Sequence, residues 1–400
     1  MIRFLVPRYG SQSTPVITTA AFIALAFVYL LRFNGHITPF TSASFSFRTS
    51  RVSGLNLDAI NSTAQYFVDY PLGPPYKKVF CELGERTKVL RSWIEALEEK
   101  NGDGLRFVGA ERQFLDETVE RVASSLFPYV QSPPRDIHSQ SPLADLRRSF
   151  SNAGAHARHP ARHPAQQQQR VGGDGDITTD YAHRNAGIVI PTGRGTLRFA
   201  CHLVASLRRV YWTKLPIQIV YAGDEDLSQG DRDTIAEAAA GGDDGPVEFL
   251  DILTVFNDTT LRLAEGGWAI KPFAALGSRF EEVILLDADD EFPDRHAWYH
   301  EMIKHPSEEL QKSLVWTERY AEEGDSGVVV LDKGRLDVLM GLLHTCWQNS
   351  YDVRMSWTYR ITYGDKETWW IGLETTGAAY AFSRHYGGMV GWRKPLAAGG

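Results

Sequence analysis

The sequence predicts an α/β domain built on a mostly parallel sheet with helices on both faces. Between residues 187 and 331, short apolar runs alternate with longer segments in which apolar residues recur at helical spacing. Continuous apolar strands are typical of parallel sheets, because helices cover both faces of such sheets. Ligands of these folds bind outside the carboxyl ends of the strands, so we expect a functional site there.

The predicted elements alternate along the chain. Strands are predicted at residues 187–191, 217–221, 247–252, 283–286 and 327–331, and the first and last of them read as buried. Helices are predicted at residues 197–212, 229–240 and 268–280. On the first of these helices, one apolar face is formed by Phe199, Leu203, Leu207 and Val210. We expect the whole sheet domain to span residues 185–394.

Three segments of different composition precede this domain. Residues 61–148 have apolar residues such as Trp93 and Leu97 at helical spacing, which predicts a small helical region. Residues 149–184 repeat Ala-Arg-His-Pro and contain a run of glutamines, so they bury too little apolar surface to order and form a low-complexity linker. Residues 33–60 lack sustained periodicity and are interpreted as a stem.

An uncharged apolar segment near the N-terminus predicts a transmembrane anchor at residues 16–32. Arg3 and Arg8 precede the segment and Arg32 ends it, so the tail of residues 1–15 is expected to stay in the cytosol. A cleaved signal peptide is the alternative, but no small-residue cleavage site follows the apolar run. The expected orientation is therefore type II, with the rest of the chain in the secretory lumen.

Charge and cysteine content exclude two classes of function. The formal net charge of -7 and the absence of a long basic block argue against a nucleic-acid partner. Cys81, Cys201 and Cys346 are too far apart for a CxxC zinc site, although an oxidising lumen allows one disulfide with one thiol left over. Glycosylation sequons at Asn61 and Asn257 fit exposure to the lumen.

Two carboxylates follow the predicted strand at residues 283–286. Asp287 and Asp289 are separated by one residue, and carboxylates at this spacing can converge on one divalent cation that also holds phosphate oxygens. Such a cation neutralises the charge of a departing nucleoside diphosphate. Two solvated aspartates are the alternative, and the preceding apolar strand favours the metal site.

Two further acidic clusters are candidates for ligand contacts. Asp325 lies between Gly324 and Gly327, where glycine permits close approach of the backbone to a ligand. Asp365 lies in segment 363–370, where acids adjoin aromatic residues that look exposed and could hold a sugar. The structural alternatives are a turn for the first cluster and a helix N-terminus for the second.

Six ordered motifs extend over about half of the chain. They are Gly187-Ile-Val-Ile-Pro-Thr-Gly193, Leu215-Pro-Ile-Gln-Ile-Val-Tyr-Ala-Gly-Asp224, Trp268-Ala-Ile-Lys-Pro-Phe273, Leu286-Asp-Ala-Asp289, Gly324-Asp-Ser-Gly327 and Tyr363-Gly-Asp-Lys-Glu367. In this order they resemble the motifs of the fungal Golgi α-1,3-mannosyltransferases, which are of the glycosyltransferase family 71 type. The resemblance covers roughly residues 185–392.

The resemblance implies an activity and a location. Members are retaining enzymes with a GT-A fold that use Mn²⁺ to transfer mannose from GDP-mannose to a mannoside acceptor of a glycoprotein glycan. They are single-pass type II proteins of the Golgi membrane, with the catalytic domain in the lumen. We therefore expect GDP-mannose, a glycan acceptor and the membrane as partners.

The resemblance also implies roles for individual residues. Asp287 and Asp289 match the metal pair. The residues expected to bind the nucleotide-sugar are Thr192, Gly193, Arg194, Asp224 and Lys271. For Lys271 the expected contact is a phosphate, and a snorkelling surface lysine is the alternative. Asp325 and Asp365 are the candidate catalytic residues on the sugar and acceptor side.

Two departures from the family pattern suggest an alternative function. After the metal motif, Asp290 leads almost at once to Trp298, so about thirty residues of the family spacing are absent. Relatives also continue beyond the position of Gly400, and His385 is a poor substitute for the histidine ligand expected there. The alternative is a catalytically inactive relative that serves as a subunit of a Golgi mannosyltransferase complex. A nucleotidyl- or phosphotransferase is disfavoured, because no P-loop or kinase signature occurs.

Overall fold

The protein is represented by a computed structural model, in which residues Leu55–Gly400 form one compact unit. The residues described are 56–101, 104–105, 107–131, 141–151, 185–240, 245, 247–286, 296–317, 319, 326–362 and 364–382. The longer helices are α1 (Leu57–Asp69), α2 (Phe80–Glu98), α3 (Gly109–Leu126), α4 (Pro142–Ser151), α5 (Leu197–Arg209), α6 (Gln229–Ala239), α7 (Ile270–Gly277), α8 (His296–Met302), α9 (Leu336–Gln348) and α10 (Thr368–Thr376).

The strands form a small hairpin and one large sheet. Their bounds are β1 (Lys100–Asn101), β2 (Gly104–Leu105), β3 (Ala186–Pro191), β4 (Ile217–Tyr221), β5 (Val247–Asp251), β6 (Glu282–Leu286) and β7 (Val328–Asp332). Short helical turns lie at Tyr76–Lys78, Pro128–Gln131, Arg194–Thr196, Ile252–Thr254, Asp258–Leu261, Gly267–Ala269, Glu308–Lys312, Tyr351–Val353, Arg354–Thr358 and Tyr359–Ile361.

The large sheet has the strand order β5-β4-β3-β6-β7, and its first four strands are parallel. The prediction of a mostly parallel sheet is therefore confirmed. β7 runs antiparallel to β6, with Val328 opposite Leu286. The prediction that this last strand is buried was wrong, since Val328 and Val330 are exposed at the sheet edge. An apolar run alone does not distinguish a central strand from an edge strand with one open face.

Helices cover both faces of the sheet, as the alternation of apolar segments predicts. Ile188 and Ile190 of β3 lie in an apolar cluster that includes residues of α5 and α6. Val189, between them in the strand, points to the opposite face and belongs to the cluster that contains α7 and α9. β3 is therefore apolar at consecutive positions because helices cover both of its faces.

The predicted apolar face of α5 was partly wrong. The buried residues of this helix are Ala200, Val204 and Arg208, whereas Phe199 and Val210 are exposed. The buried stripe is thus offset by one residue, about 100° around the helix, from the stripe of the largest apolar residues.

The helical region packs directly against the helices of the sheet domain. α1 to α4 share one apolar cluster with α9 and α10. The Tyr129 hydroxyl donates to the backbone oxygen of Leu343, and His344 Nε2 donates to the backbone oxygen of Phe80 over 3.0 Å. Complete burial lowers the pKa of His344 to about 4, so this imidazole is neutral and bridges the two layers.

The predicted tail, the anchor and most of the stem lie outside the described residues, as does the predicted linker of residues 149–184 apart from residues 149–151, which end α4. In the ranges that the structure does describe, each helix is too short or too polar to cross a bilayer. Cys81, Cys201 and Cys346 are all free thiols, so the disulfide that the sequence allows is not formed among them.

Candidate active site

The parallel strands end together at one edge of the sheet, where the predicted site residues gather. β3 leads into Thr192, β4 leads into Asp224, and β6 ends at Leu286 immediately before the D-x-D pattern. Because β7 is antiparallel, it begins at this same edge, just after Ser326. Side chains from distant parts of the sequence are thereby brought to one carboxyl edge.

The loop after β3 is ordered by hydroxyl and backbone hydrogen bonds. Thr192 N donates to Val220 O over 2.9 Å, which extends the pairing of β3 with β4 beyond the strand. The Thr192 and Thr196 hydroxyls are 2.8 Å apart, and Gly193 N donates to Thr196 Oγ1 over 3.2 Å. α5 begins directly afterwards, and the preceding turn pairs the N–H groups of Thr196 and Leu197 with the backbone oxygens of Gly193 and Arg194. The Arg194 side chain is exposed at this start of the helix.

Gly193 lets the β3 loop and the β4 loop touch. A Cβ atom at this position would lie 2.1 Å from Asp226 Oδ1, so no larger residue fits without moving that carboxylate. Asp226 Oδ2 in turn accepts from Ala222 N over 3.0 Å, and burial raises the pKa of the Asp226 carboxyl. Asp226 was missed by the sequence analysis, although it follows Asp224 at the spacing that drew attention to Asp287 and Asp289.

The loop after β4 presents Asp224 to solvent. Its carboxylate is exposed and accepts a charge-assisted hydrogen bond from Arg232 Nη1 over 2.7 Å. The preceding Gly223 adopts a φ of +84°, and its N–H donates to Asp251 Oδ1 at the end of β5 over 3.0 Å. Three adjacent strand ends are thus linked by hydrogen bonds that leave Asp224 at the rim.

Lys271, Ser326 and Asp365 form a buried polar cluster beside the start of β7. Lys271 Nζ lies 3.1 Å from Asp365 Oδ1 and donates to Ser326 Oγ over 3.0 Å. Asp365 Oδ2 accepts from Trp369 Nε1 over 2.7 Å. Lys271 is 4% exposed and Asp365 is 1% exposed, so this ion pair is withdrawn from water. Lys271 is therefore not a snorkelling surface lysine.

The position of Lys271 in its helix adds to the cost of burying it. Lys271 lies in the first turn of α7, where the helix dipole favours anions and disfavours cations. Desolvating an ammonium group there is compensated only by a partner of opposite charge, which Asp365 supplies. A residue kept against both preferences is a candidate for function.

In segment 363–370, the described residues 364–370 are mostly buried, which corrects the expectation of exposed aromatic residues for Trp369 and Trp370. Trp369 and Trp370 have little solvent contact, and Asp365 and Glu367 are buried with them. Each acid accepts from an indole N–H, Asp365 from Trp369 and Glu367 from Trp370. The backbone here leads into α10, so the structural alternative of a helix N-terminus is also realised.

One aromatic ring does remain accessible beside this segment. Trp268 is 39% exposed, and a side chain at Gly364 would approach its ring to 3.0 Å. Gly364 has a φ of +58°, and as a glycine it lets the backbone next to Asp365 lie directly against the indole. An accessible ring next to a buried carboxylate offers a stacking surface for a sugar.

Three predicted site residues, Asp287, Asp289 and Asp325, lie outside the described residues. Among the residues that are described, no three His, Cys, Asp or Glu side chains are grouped so that they could hold a metal ion. The assignment of the metal pair therefore stays a prediction, as do the individual roles of Thr192, Arg194, Asp224, Lys271 and Asp365.

Comparison with known protein families places this edge in context. The model of the family described as "Mannosyltransferase putative" matches residues 185–294 and 290–397, which together are more than half of the chain. The chain belongs to this mannosyltransferase family. No curated protein matches the chain.

The ranges matched to the mannosyltransferase family contain every candidate site residue, from Thr192 to Asp365. The helical region of α1 to α4 lies before them. The match divides into two segments that meet at residues 290–294, directly after Asp289. At this same place, the spacing between the D-x-D pattern and Trp298 departs from that of the resembling enzymes.

Besides Asp226, three contributors to the candidate site of this family member were not predicted from the sequence. Ser326 lies within a quoted motif and Trp369 within segment 363–370, but nothing in their local sequence showed that they would contact Lys271 and Asp365. Trp268 opens the motif that contains Lys271, and a tryptophan preceded by two glycines was the available signal for an accessible ring.

Proposed function

We propose that the chain is a metal-dependent, retaining α-mannosyltransferase of the Golgi α-1,3 type with a GT-A fold. Its donor is GDP-mannose and its acceptor is a mannoside of a glycoprotein glycan. The observation that carries this proposal is that Thr192, Asp224 and the Lys271–Asp365 pair, all within the range matched by the mannosyltransferase family, lie at the edge where the parallel strands end. Residues that served only to stabilise the fold could be scattered over the domain, whereas residues that share a ligand must lie together.

The β3 and β4 loops suit the nucleotide half of the donor. The exposed Arg194 and the positive end of the α5 helix dipole would provide positive charge for a diphosphate. The Thr192 and Thr196 hydroxyls bond to each other and hold this loop in place. Asp224 is an exposed acceptor, held by Arg232, for ribose hydroxyls or guanine N–H groups.

The divalent cation of the proposal would be held by Asp287 and Asp289. β6 pairs with β3 so that Leu285 lies opposite Val189. The D-x-D pattern begins two residues after Leu285 in the sequence, and β3, the neighbouring strand, leads into the loop of residues 192–196. Carboxylates are the ligands that Mn²⁺ and other hard cations prefer. Bound there, Mn²⁺ would supply charge neutralisation for the departing GDP.

The buried cluster of Lys271, Ser326 and Asp365 suits the part of the donor where the diphosphate meets the sugar. Asp365 has hydrogen-bond partners on both oxygens, Lys271 on one and Trp369 on the other, so it is placed to position the Lys271 ammonium rather than to attack a sugar. The Lys271 ammonium, held in a low-dielectric setting, can stabilise negative charge that develops on the donor phosphate. Asp325 adjoins Ser326 in the sequence and stays our candidate for the acceptor side.

The proposed location is the Golgi membrane, with the chain anchored by residues 16–32 and the sheet domain in the lumen. The uncharged segment and the arginines before it support this orientation. GDP-mannose and glycoprotein acceptors are both found on that side in the resembling enzymes.

The second candidate is an inactive subunit of a Golgi mannosyltransferase complex. It is favoured by the division of the family match at residues 290–294, next to the proposed metal pair. A shortened segment at this point would weaken metal binding without disturbing the sheet.

The deciding experiment measures transfer of radiolabelled mannose from GDP-mannose to a small mannoside, with Mn²⁺ and with chelator. We expect transfer only with Mn²⁺. Asp289→Asn should weaken Mn²⁺-dependent GDP-mannose binding in calorimetry, because removal of one charge weakens the hold on the cation. Asp116→Asn, at an exposed position of α3, is the matched control and should bind normally.

Each outcome separates the candidates. Mn²⁺-dependent binding that is equal in wild type and Asp289→Asn would refute the metal assignment. Binding without any transfer would favour the inactive-subunit function. Absence of both binding and transfer in the wild type would refute the proposed enzyme.

A further inference from the structure

The turn that follows α5 presents three large apolar side chains to solvent. Val210, Tyr211 and Trp212 are 69%, 75% and 74% exposed, although the sequence predicts Val210 in the core. Lys214 follows and is also exposed. We call residues 210–214 the aromatic turn.

The aromatic turn is fixed from the inside. The buried Arg208 guanidinium donates to the backbone oxygens of Thr213, Leu215 and Gly245 over 2.7, 2.9 and 2.8 Å. Thr213 N donates to Leu207 O over 3.0 Å. Trp212 has a φ of +48°, a left-handed conformation that costs a non-glycine residue about 1 kcal/mol. The side chains are therefore displayed by a built structure rather than left on a loose loop.

The aromatic turn lies at the opposite edge of the sheet from the candidate active site. It connects the end of α5 to the start of β4 at Ile217, whereas the site lies where the strands finish. A strand of this length separates the two edges by roughly 17 Å. The turn therefore does not contact the donor, and its exposed apolar surface needs another explanation.

The chemistry of the aromatic turn matches the interfacial region of a bilayer. Tryptophan and tyrosine side chains favour the headgroup level of membranes, and an adjacent lysine is attracted to anionic lipid. Arg209 is engaged within the protein, because it donates to the backbone oxygens of Ala238 and Ala240. Lys214 is therefore the basic side chain that we assign to anionic lipid. The apolar segment 16–32, predicted as an anchor, makes a bilayer an available partner.

The size of the aromatic turn argues against a protein partner. Three exposed side chains offer roughly 400 Å² of surface, given the area of aromatic residues. A stable protein interface needs about 800 Å² on each partner. Insertion of one convex turn into a lipid interface has no such requirement.

We propose that the aromatic turn is a second membrane contact, in which Tyr211 and Trp212 insert at the headgroup level and Lys214 binds anionic headgroups. This contact would hold the amino edge of the sheet against the bilayer and turn the carboxyl edge toward substrates in solution. The inference rests on the membrane location in the proposed function and does not depend on its sugar chemistry.

The test replaces Trp212 by photoreactive benzoylphenylalanine in the full chain, reconstituted in bilayers of phosphatidylcholine with and without phosphatidylserine. The matched control carries the same photoreactive residue at Phe199, which is also exposed and lies at the other end of α5. We expect lipid adducts from position 212 at a yield several-fold above that from position 199. Lys214→Gln should lower the yield about fivefold when phosphatidylserine is present, and should have little effect without it.

Lipid adducts that are equal from positions 212 and 199 would overturn the proposal. Adducts of position 212 mainly with a second protein chain would also overturn it, and would identify a protein interface instead. Unchanged thermal unfolding of each photoreactive variant, compared with the wild type, ensures that the adducts report the folded protein.

Discussion

A buried lysine lies at each end of α7, Lys271 within its first turn and Lys333 reaching its last turn from the end of β7, and the two lysines are compensated in different ways. At the carboxyl end, Lys333 donates to the backbone oxygens of Ala275, Leu276 and Ser278 over 2.8, 3.0 and 2.7 Å. A cation is favoured there by the helix dipole. At the amino end, Lys271 lies where the dipole disfavours it and requires the carboxylate of Asp365.

This difference separates stability from function. Lys333 follows the electrostatic preference of the helix and donates to carbonyl groups at its carboxyl end, which suffices to explain it. Lys271 opposes that preference, and an apolar pair could fill its site at similar or better stability. Its retention is better explained by a ligand at the carboxyl edge.

The largest effect is expected from breaking the Lys271–Asp365 pair on one side. Asp365→Leu leaves the Lys271 ammonium buried without its partner, which should lower the free energy of unfolding by about 3 to 5 kcal/mol. The double variant Lys271→Met with Asp365→Leu should recover most of this loss, yet GDP-mannose binding should stay weak. Urea unfolding and calorimetry measure the two effects. A stable double variant with normal donor binding would show that the pair is only structural.

Lys333→Met tests the other end of the helix. Loss of a charged donor to three buried oxygens should lower the free energy of unfolding by about 3 kcal/mol. Donor affinity, measured well below the unfolding temperature, should match that of the wild type. If donor affinity fell as far as in the variants of Lys271, the contrast between the two lysines would be lost.

His344 extends the comparison to a buried group that serves the scaffold. Its pKa is lowered to about 4 by burial, whereas the unfolded chain titrates near the ordinary value of 6.5. The unfolded state therefore binds the proton first as the pH falls, and stability decreases below pH 6.5. Between pH 7 and pH 5 the wild type should lose about 2 kcal/mol more than His344→Gln. Equal pH slopes in urea unfolding would contradict the neutral, buried assignment.

The smallest effect is expected from Gly193→Ala, for which the nearby Gly195 provides a control. Gly193→Ala must displace the Asp226 carboxylate and weaken its bond to Ala222 N, at a cost of about 1 kcal/mol, and should reduce donor affinity. Gly195→Ala, in the same turn, meets no atom within 4 Å and serves as the matched control. Thermal unfolding and GDP-mannose titration of both variants give the comparison. If the two variants had equal thermal stability and equal affinity for GDP-mannose, the contact between Gly193 and Asp226 would not shape the loop after β3.

Local sequence patterns were enough to predict the main elements of the sheet and the edge at which ligands would bind. Strand β3 was predicted from five consecutive residues that need burial on both faces, and its helix followed at the expected spacing. These features depend on local patterns, since alternation, apolar runs and turn residues act over a few neighbours. The same local logic put Thr192 and Asp224 at strand ends.

The burial of individual residues and the pairing of charges were settled by tertiary packing. Lys271 and Asp365 come from distant segments, and no local pattern showed that they would share a site without water. The inner face of α5 was set by close packing on the sheet, so Val210 became exposed although it is strongly apolar. Burial and ion pairing depend on partners that are close in space and remote in sequence, and these partners exist only once the chain has folded.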